Sequence, residues 1–361
     1  MTGDTPQPTG PDREADVAWC HASVQDVSRT FALTIESLEE PMATQICLGY
    51  LLCRIPDTIE DAGHVPPTEG ATLLRSYARA IDPDDGQDIE TFRAEIEPWL
   101  PTEPERSDDW QVVAAAPRVH ATFETLPADV RAAITPPVVE LVEGMATFVD
   151  DHAETDGLRI GTQAELEEYC HYAAGTVGTL ITNLLTREEL PAERRRTLYE
   201  TAESFGLLLQ LVNIAKDVYD DYTEEHNVYL PASWLTAEGV PQEAVIDAKY
   251  RDSAAAVVSR TAAHARSFLD GAERYLHAMP LRHGNTLAAW GVPFLLAVGT
   301  LRELTASPAD ALTEQGLKIS RQEVYAVLDA MDEADREALS EFRAIIDREP
   351  FHLATAKPQS D

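Results

Sequence analysis

Lysine is almost missing from this chain: of 28 basic residues only Lys216, Lys249, Lys318 and Lys357 are lysines, against 63 acidic residues and a formal net charge of −35. A surface so short of positive charge cannot neutralise a phosphate backbone, which excludes nucleic acid as a partner. In dilute buffer such a chain repels itself. At molar salt the reach of that repulsion shrinks to about 3 Å, so the composition points to the cytoplasm of a high-salt organism. Cysteine is scarce too. Cys20, Cys47, Cys53 and Cys170 lie in helical patterns without Cys-x-x-Cys spacing, which excludes a disulfide frame or zinc site and leaves small core residues. No apolar run reaches the roughly 20 residues that span a bilayer; the best stretch, Leu287 to Leu301, is interrupted by Pro293. No transmembrane anchor is expected, and at most a loose membrane association. Strand alternation is nearly absent. So are His-Glu-x-x-His, Gly-x-Ser-x-Gly and any glycine-rich phosphate loop, which excludes the zinc proteases, the serine hydrolases and the P-loop enzymes built on those motifs.

What is present is helical periodicity, and its apolar share of 44% speaks against disorder despite the charge. Proline and glycine mark breaks between expected helices at about 17–38, 41–61, 70–81, 88–98, 109–124, 128–151, 163–187, 190–221, 241–279, 284–305 and 321–347. The 361 residues are expected as one elongated all-α catalytic domain over 17–349, after a flexible leader (1–16) and before a mobile tail (350–361). The loop 222–231 is expected to close over a bound ligand.

Two acidic clusters dominate the functional reading. Asp57-Thr58-Ile59-Glu60-Asp61 and Asp217-Val218-Tyr219-Asp220-Asp221 each end an apolar helical stretch, and each places carboxylates at i and i+4, one turn apart on one face. A surface pair such as Glu36 and Glu40 has the same spacing by chance in so acidic a chain. The two clusters differ because buried-type runs, Ile46 to Cys53 and Phe205 to Ile214, lead into them. Like charges on such helices call for a hard divalent cation, with Mg²⁺ bound by one or two carboxylates and by phosphate oxygens of a substrate. Arg54 and Tyr50 share the inner face with Asp57; Ser28 and Arg29 precede Phe31; Lys216 precedes Asp217. These cations are candidates for holding a diphosphate, with Arg54 equally able to pair with its acidic neighbours. In Tyr169-Cys170-His171-Tyr172-Ala173-Ala174-Gly175-Thr176-Val177-Gly178 the two glycines each cost about 1 kcal/mol of helix stability. They mark a bend, a close approach of a long apolar ligand, or tight helix packing. Tyr169 is a candidate reactive phenol, while His171 and Tyr172 are expected to satisfy buried hydrogen bonds.

These segments resemble the squalene and phytoene synthase family of head-to-head prenyl transferases over about residues 17 to 345. Ser28 to Ala32 is similar to its Ser-Arg-x-Phe motif, Tyr50 to Asp61 to Tyr-Leu-x-x-Arg-x-x-Asp-Thr-x-Glu-Asp, Tyr169 to Gly178 to its Tyr-Cys-His-Tyr segment, and Gln210 to Asp221 to its second Asp-rich helix. The wording favours the squalene branch. The resemblance implies an isoprenoid synthase fold with a central cavity and Mg²⁺ at both Asp-rich rims. Two farnesyl diphosphates would condense there through a cyclopropyl intermediate that NADPH (or NADH) then reduces. It further implies metal at Asp57, Asp61, Asp217 and Asp221 with Glu60 and Asp220 assisting, diphosphate at Ser28, Arg29, Arg54 and Lys216, Tyr169 handling the proton, and Tyr50 lining the cavity. Asn213, Lys318 and Arg321 would serve the nicotinamide cofactor. Ser320 and Lys216 stand where the family has Arg, and Ala22 where eukaryotic members are basic, which bears on cofactor affinity. The rivals are a dehydrosqualene or phytoene synthase without the reductive step, and a noncatalytic helical assembly protein.

Overall fold

The computed structural model describes residues 10–355, apart from the side chains of residues 10–12, 29, 30 and 355. Its α-helices are α1 Gly10–Val27, α2 Arg29–Glu36, α3 Met42–Glu60, α4 Pro67–Ile81, α5 Ile89–Ile96, α6 Asp108–Ala114 and α7 Ala116–Glu124. Then come α8 Ala128–Asp151, α9 Gln163–Cys170, α10 Thr176–Leu185, α11 Ala192–Lys216, α12 Val218–Glu224 and α13 Ala232–Ala237. The last are α14 Arg251–Arg266, α15 Leu269–Ala278, α16 Thr286–Ala306, α17 Arg321–Asp332, α18 Arg336–Ile346 and α19 Phe351–Thr355. Among the described residues there is no β-strand, only isolated bridges between Leu38 and Gly284 and between Arg159 and Val228.

Capping chemistry explains two of the departures from the expected helices. The stretch 17–38 divides at Ser28, whose backbone is extended (φ −152°, ψ 95°) and whose hydroxyl accepts the Phe31 N–H. Asp335 does the same for α18, accepting the Ala338 N–H and dividing 321–347. The stretch 190–221 divides at Asp217, between α11 and α12. Two segments are more ordered than expected. Helix α1 starts at Gly10, inside the proposed leader. Past Glu349, Phe351 is buried and packs edge-on against Phe342, which anchors the start of the proposed tail; residues 356–361 lie outside the described residues.

Three core helices contain proline, which leaves the carbonyl four residues back without its helical donor. In each helix a neighbouring side chain supplies one. Pro56 in α3 exposes Leu52 O, which accepts from the Tyr77 hydroxyl of α4 at 3.1 Å. Pro293 in α16 exposes Ala289 O, which accepts from Thr34 of α2 at 3.0 Å. Helix α8 has two internal prolines, Pro136 and Pro137, and the carbonyl that Pro137 exposes, Ala133 O, accepts from Asn183 of α10 at 3.1 Å. The helices that surround the cavity are thereby cross-tied where they are weakest.

Helices α8 and α16 are long and apolar enough to cross a bilayer, but 67% and 78% of their apolar windows are buried inside the fold. All four cysteines are buried and unpaired, as a core role requires.

Candidate active site

The expected residues converge on a cavity of about 440 Å³. Helix α3 and its C-cap contribute Tyr50, Arg54, Asp57, Glu60 and Asp61; α11 contributes Gln210, Asn213 and Lys216, the junction after it Asp217, and α12 Asp221; Tyr169 enters from α9. Asp217 sits at the helix break, yet the Asp221 N–H still bonds Asp217 O at 2.9 Å, so the two acids keep their one-turn spacing. Asp220 does not line the cavity, because the break redirects α12; Glu225 stands there instead. A separate concavity of about 820 Å³, lined by α8 with Ile81, Glu124 and Tyr172, gathers none of the expected site residues.

Between α9 and α10, residues His171–Gly175 form a single π-helical turn, with the Thr176 N–H bonding His171 O. The extra residue per turn shifts the register and brings Ala173 into the cavity. Downstream, a Cβ on Gly178 would lie 2.5 Å from Ala202 O, and one on Gly206 would lie 2.4 Å from Ala174 O. Helices α10 and α11 therefore touch backbone to backbone, which draws the second acidic cluster toward the first. The costly glycines serve both bend and packing, and Gly178 also lines the apolar pocket described below. Contrary to expectation, His171 is not a buried hydrogen-bonder; it bridges Glu203 (3.0 Å) and Glu140 (3.3 Å) at the surface.

The loop 222–231 is not a free lid. Val228 N–H bonds Leu158 O at 2.9 Å, Ile160 N–H bonds Val228 O at 3.2 Å, and Leu158 N–H bonds Asn227 Oδ1 at 2.8 Å. Gly157, with φ +81°, permits this approach, since a Cβ there would meet His226 O at 2.4 Å. The pinned loop delivers Glu225 and Tyr229 into the cavity. The single hydrogen of the Tyr169 hydroxyl is within reach of two acceptors, Glu60 Oε1 (3.3 Å) and the Tyr229 hydroxyl (3.2 Å), and Asn227 Nδ2 donates to Tyr229 (3.0 Å) and to Glu225 Oε2 (3.2 Å). The sequence reading missed Glu225, Asn227 and Tyr229; their alternate spacing in Glu225-x-Asn227-x-Tyr229 was the available signal.

The cations are engaged by acids. Arg54 Nε bonds Asp109 Oδ1 of α6 at 2.7 Å, a partner outside its own helix, and Lys216 pairs with Asp217. Ser28 is occupied as the α2 cap and lines the apolar pocket; the Arg29 side chain lies outside the described residues. Tyr50 stacks on Phe31 with ring centroids 4.1 Å apart and borders both spaces.

Five of the cavity carboxyls, Asp57, Glu60, Asp61, Asp221 and Glu225, are pushed toward the protonated form. Burial, eased by Arg54 and reinforced by Asp109, pushes Asp57 up to about 6. Burial and then the Asp57 charge push Asp61 to about 7. Burial followed by Glu225, Asp217 and Asp61 pushes Asp221 to about 9, and burial followed by Asp61 pushes Glu225 to about 8. Glu60 rises well above the carboxylate range through burial and the charges of Asp61 and Asp57. Acids of the two helices thus repel across the cavity. No group of three or more such ligands forms a ready-made metal cage among the described residues. A surplus of half-buried oxygen donors with their cations already paired suits a hard ion such as Mg²⁺, which takes one or two carboxylates and completes its shell from water and phosphate.

Beyond Tyr50 and Asp57 the cavity continues into an apolar pocket of about 330 Å³ bounded by Phe31, Ile46, Leu180, Phe205 and Trp290. A groove of about 540 Å³ adjoins both spaces through Asn213, and contains Lys216 and Lys318 between Leu33, Val292 and Leu328. Arg321 is exposed at the start of α17 and does not line that groove, because Ser320 caps the helix through the Glu323 N–H and fixes its direction. The arrangement can hold a diphosphate at the acidic end with an apolar chain behind it.

A family model for squalene/phytoene synthase matches residues 24–323. The probable squalene synthase of Neurospora crassa is 26% identical over 303 residues, 84% of this chain and 59% of that protein. Squalene synthase of Bos taurus is 28% identical over 216 residues, 60% of this chain and 46% of that protein. The chain spans about half the length of the curated relatives it matches. The structure of TcSQS with a bound ligand superposes with TM-score 0.75 at 22% identity, covering 95% of this chain and 93% of that one. A dehydrosqualene synthase with a bound ligand gives TM-score 0.59 at 20% identity, covering 92% and 99%. The architecture is the all-α isoprenoid synthase fold, and the chain belongs to the squalene/phytoene synthase family.

Proposed function

We propose that this protein condenses two farnesyl diphosphates head to head to presqualene diphosphate and reduces that intermediate to squalene. The observation that carries the reading is one cavity with acidic rims from α3 and α11–α12, a buried Tyr169 between them, and an apolar pocket behind. The diphosphates lie at the acidic end, with Arg54 and Lys216 offsetting their charge, and the farnesyl chains lie against the apolar wall. Mg²⁺ held by Asp57, Asp61, Asp217 and Asp221, with Glu60 and Glu225 at hand, would neutralise the leaving group. Loss of one diphosphate leaves an allylic cation that the double bond of the second molecule attacks. The proton released on ring closure passes to the Tyr169 hydroxyl oxygen as that group hands its own proton toward Glu60 or Tyr229. NADPH, or NADH, bound along the groove of Asn213 and Lys318 would supply the reducing equivalent.

Product analysis with farnesyl diphosphate, Mg²⁺ and NADPH in molar KCl tests this. Squalene is expected, with presqualene diphosphate accumulating when NADPH is left out. A second reading rests on Arg321, which stands outside the groove: a synthase that stops at dehydrosqualene or phytoene. NADPH-independent formation of an unreduced product would establish it, and failure to consume any prenyl diphosphate would end both readings.

A further inference from the structure

We infer that Tyr229 is a further substrate-contacting residue, whose hydroxyl donates to a diphosphate oxygen in the acidic cavity, and that Asn227 aims it. The inference rests on the prenyl diphosphate reading above and assigns a donor on the pinned loop.

Tyr229 is 7% exposed and lines the cavity, with its ring 4.8 Å from that of Tyr169. A phenolic oxygen has one hydrogen to give and two positions at which to accept. One accepting position is in use: Asn227 Nδ2 donates to the oxygen at 3.0 Å. The Tyr169 hydroxyl lies 3.2 Å away on the same side, with its single hydrogen shared between Tyr229 and Glu60. The Asn227 amide cannot be turned round, because its Oδ1 accepts the Leu158 N–H at 2.8 Å and an NH₂ group there would oppose donor to donor. The backbone on the next residue is held as well, by the two bonds between Val228 and the 158–160 segment. Tyr229 therefore has its oxygen held from behind by Asn227, and its hydrogen can turn either to Tyr169 or into the cavity. What remains in front is the cavity, with Asp61, Asp221 and Glu225 around it. A fixed donor facing the place where negative charge collects is the arrangement that stabilises a departing anion without reorganisation.

Calorimetric titration of the full chain with inorganic diphosphate and Mg²⁺ in molar KCl, beside the rate of diphosphate release from farnesyl diphosphate, tests the inference. Tyr229→Phe removes the hydroxyl and leaves the ring. It should weaken diphosphate binding by about tenfold or more and slow release similarly, at unchanged helical content. Asn227→Asp keeps the acceptor for Leu158 but cannot donate, so the Tyr229 hydrogen turns to the new carboxylate and the same loss follows. The double variant should be no worse than Tyr229→Phe alone, since the two act through one hydroxyl. Binding and release at the unmutated level in Tyr229→Phe would overturn the inference while leaving the enzyme reading intact. Additive losses in the double variant would assign the Asn227→Asp effect to charge and overturn the aiming role. If Tyr229→Phe loses helical content, Asn227→Asp carries the test, and unaltered binding there is overturning. An unmutated protein that neither binds diphosphate nor consumes farnesyl diphosphate would remove both readings.

Discussion

The Tyr77 hydroxyl donates at 3.1 Å to Leu52 O, the carbonyl that Pro56 leaves open one residue before Asp57. The bond is fully buried and ties α4 to the end of α3 that carries the first acidic cluster. Tyr77→Phe leaves that carbonyl without a partner and should cost about 1–3 kcal/mol, read as a lower thermal midpoint. Adding Pro56→Ala restores an N–H for Leu52 and should recover part of the loss. A double variant less stable than Tyr77→Phe would contradict this account.

Asp57→Asn and Asp217→Asn should each abolish product formation with helical content unchanged, since each removes a carboxylate from opposite rims of one cavity. A loss of several kcal/mol in transition-state stabilisation corresponds to about a thousandfold or more in rate. Wild-type turnover in either variant would reduce that rim to surface charge.

The raised carboxyls make a prediction for pH. In the unfolded chain these groups lose their protons near pH 4, whereas in the fold Asp57, Asp61, Glu225 and Asp221 keep theirs up to about 6, 7, 8 and 9. Their contribution is therefore complete below about pH 4 and is lost as pH rises through those values. Metal-free protein should melt at lower temperature at about pH 9 than at about pH 5, and Asp221→Asn should flatten that slope. Mg²⁺ should raise the midpoint most at the alkaline end, where the ligands are already deprotonated. A midpoint that climbs with pH in the absence of metal would refute the assignment.

Much of this site was legible because it is written in local spacing. Asp57 with Asp61, and Arg54 and Tyr50 on the same face, follow from the period of a single helix, and they meet as the sequence predicts. Asp217 with Asp221 survived a break in the helix because the backbone bond between them was kept. What failed depended on backbone direction after a break: Asp220 turned away behind Asp217, and Arg321 was carried outward by the Ser320 cap. Glu225, Asn227 and Tyr229 were hidden because a polar loop reads as mobile, and only its pairing with residues 158–160, far away in sequence, fixes it. Asp109 was missed for the same reason, since its bond to Arg54 joins two helices.

With a net charge of −35, the fold carries a self-repulsion that dilute buffer does not screen. Activity and helical content should fall in low-salt buffer and return in molar KCl, where the screening length is about 3 Å. Full activity and stability without added salt would dismiss a high-salt origin and leave the catalytic reading untouched.

The groove beside the cavity separates two basic residues that the sequence placed together. Lys318 lines it with Asn213 and Lys216, while Arg321 is exposed outside it. If the nicotinamide cofactor binds along this groove, its phosphates meet Lys318 and not Arg321. Lys318→Ala should then raise the KM for NADPH and let presqualene diphosphate or unreduced C30 products build up, with consumption of farnesyl diphosphate nearly unchanged. Arg321→Ala alone should leave the NADPH dependence close to that of the unmutated protein. Equal losses in the two variants would mean that α17 turns on cofactor binding to bring Arg321 inward, and no loss in either would place the cofactor elsewhere.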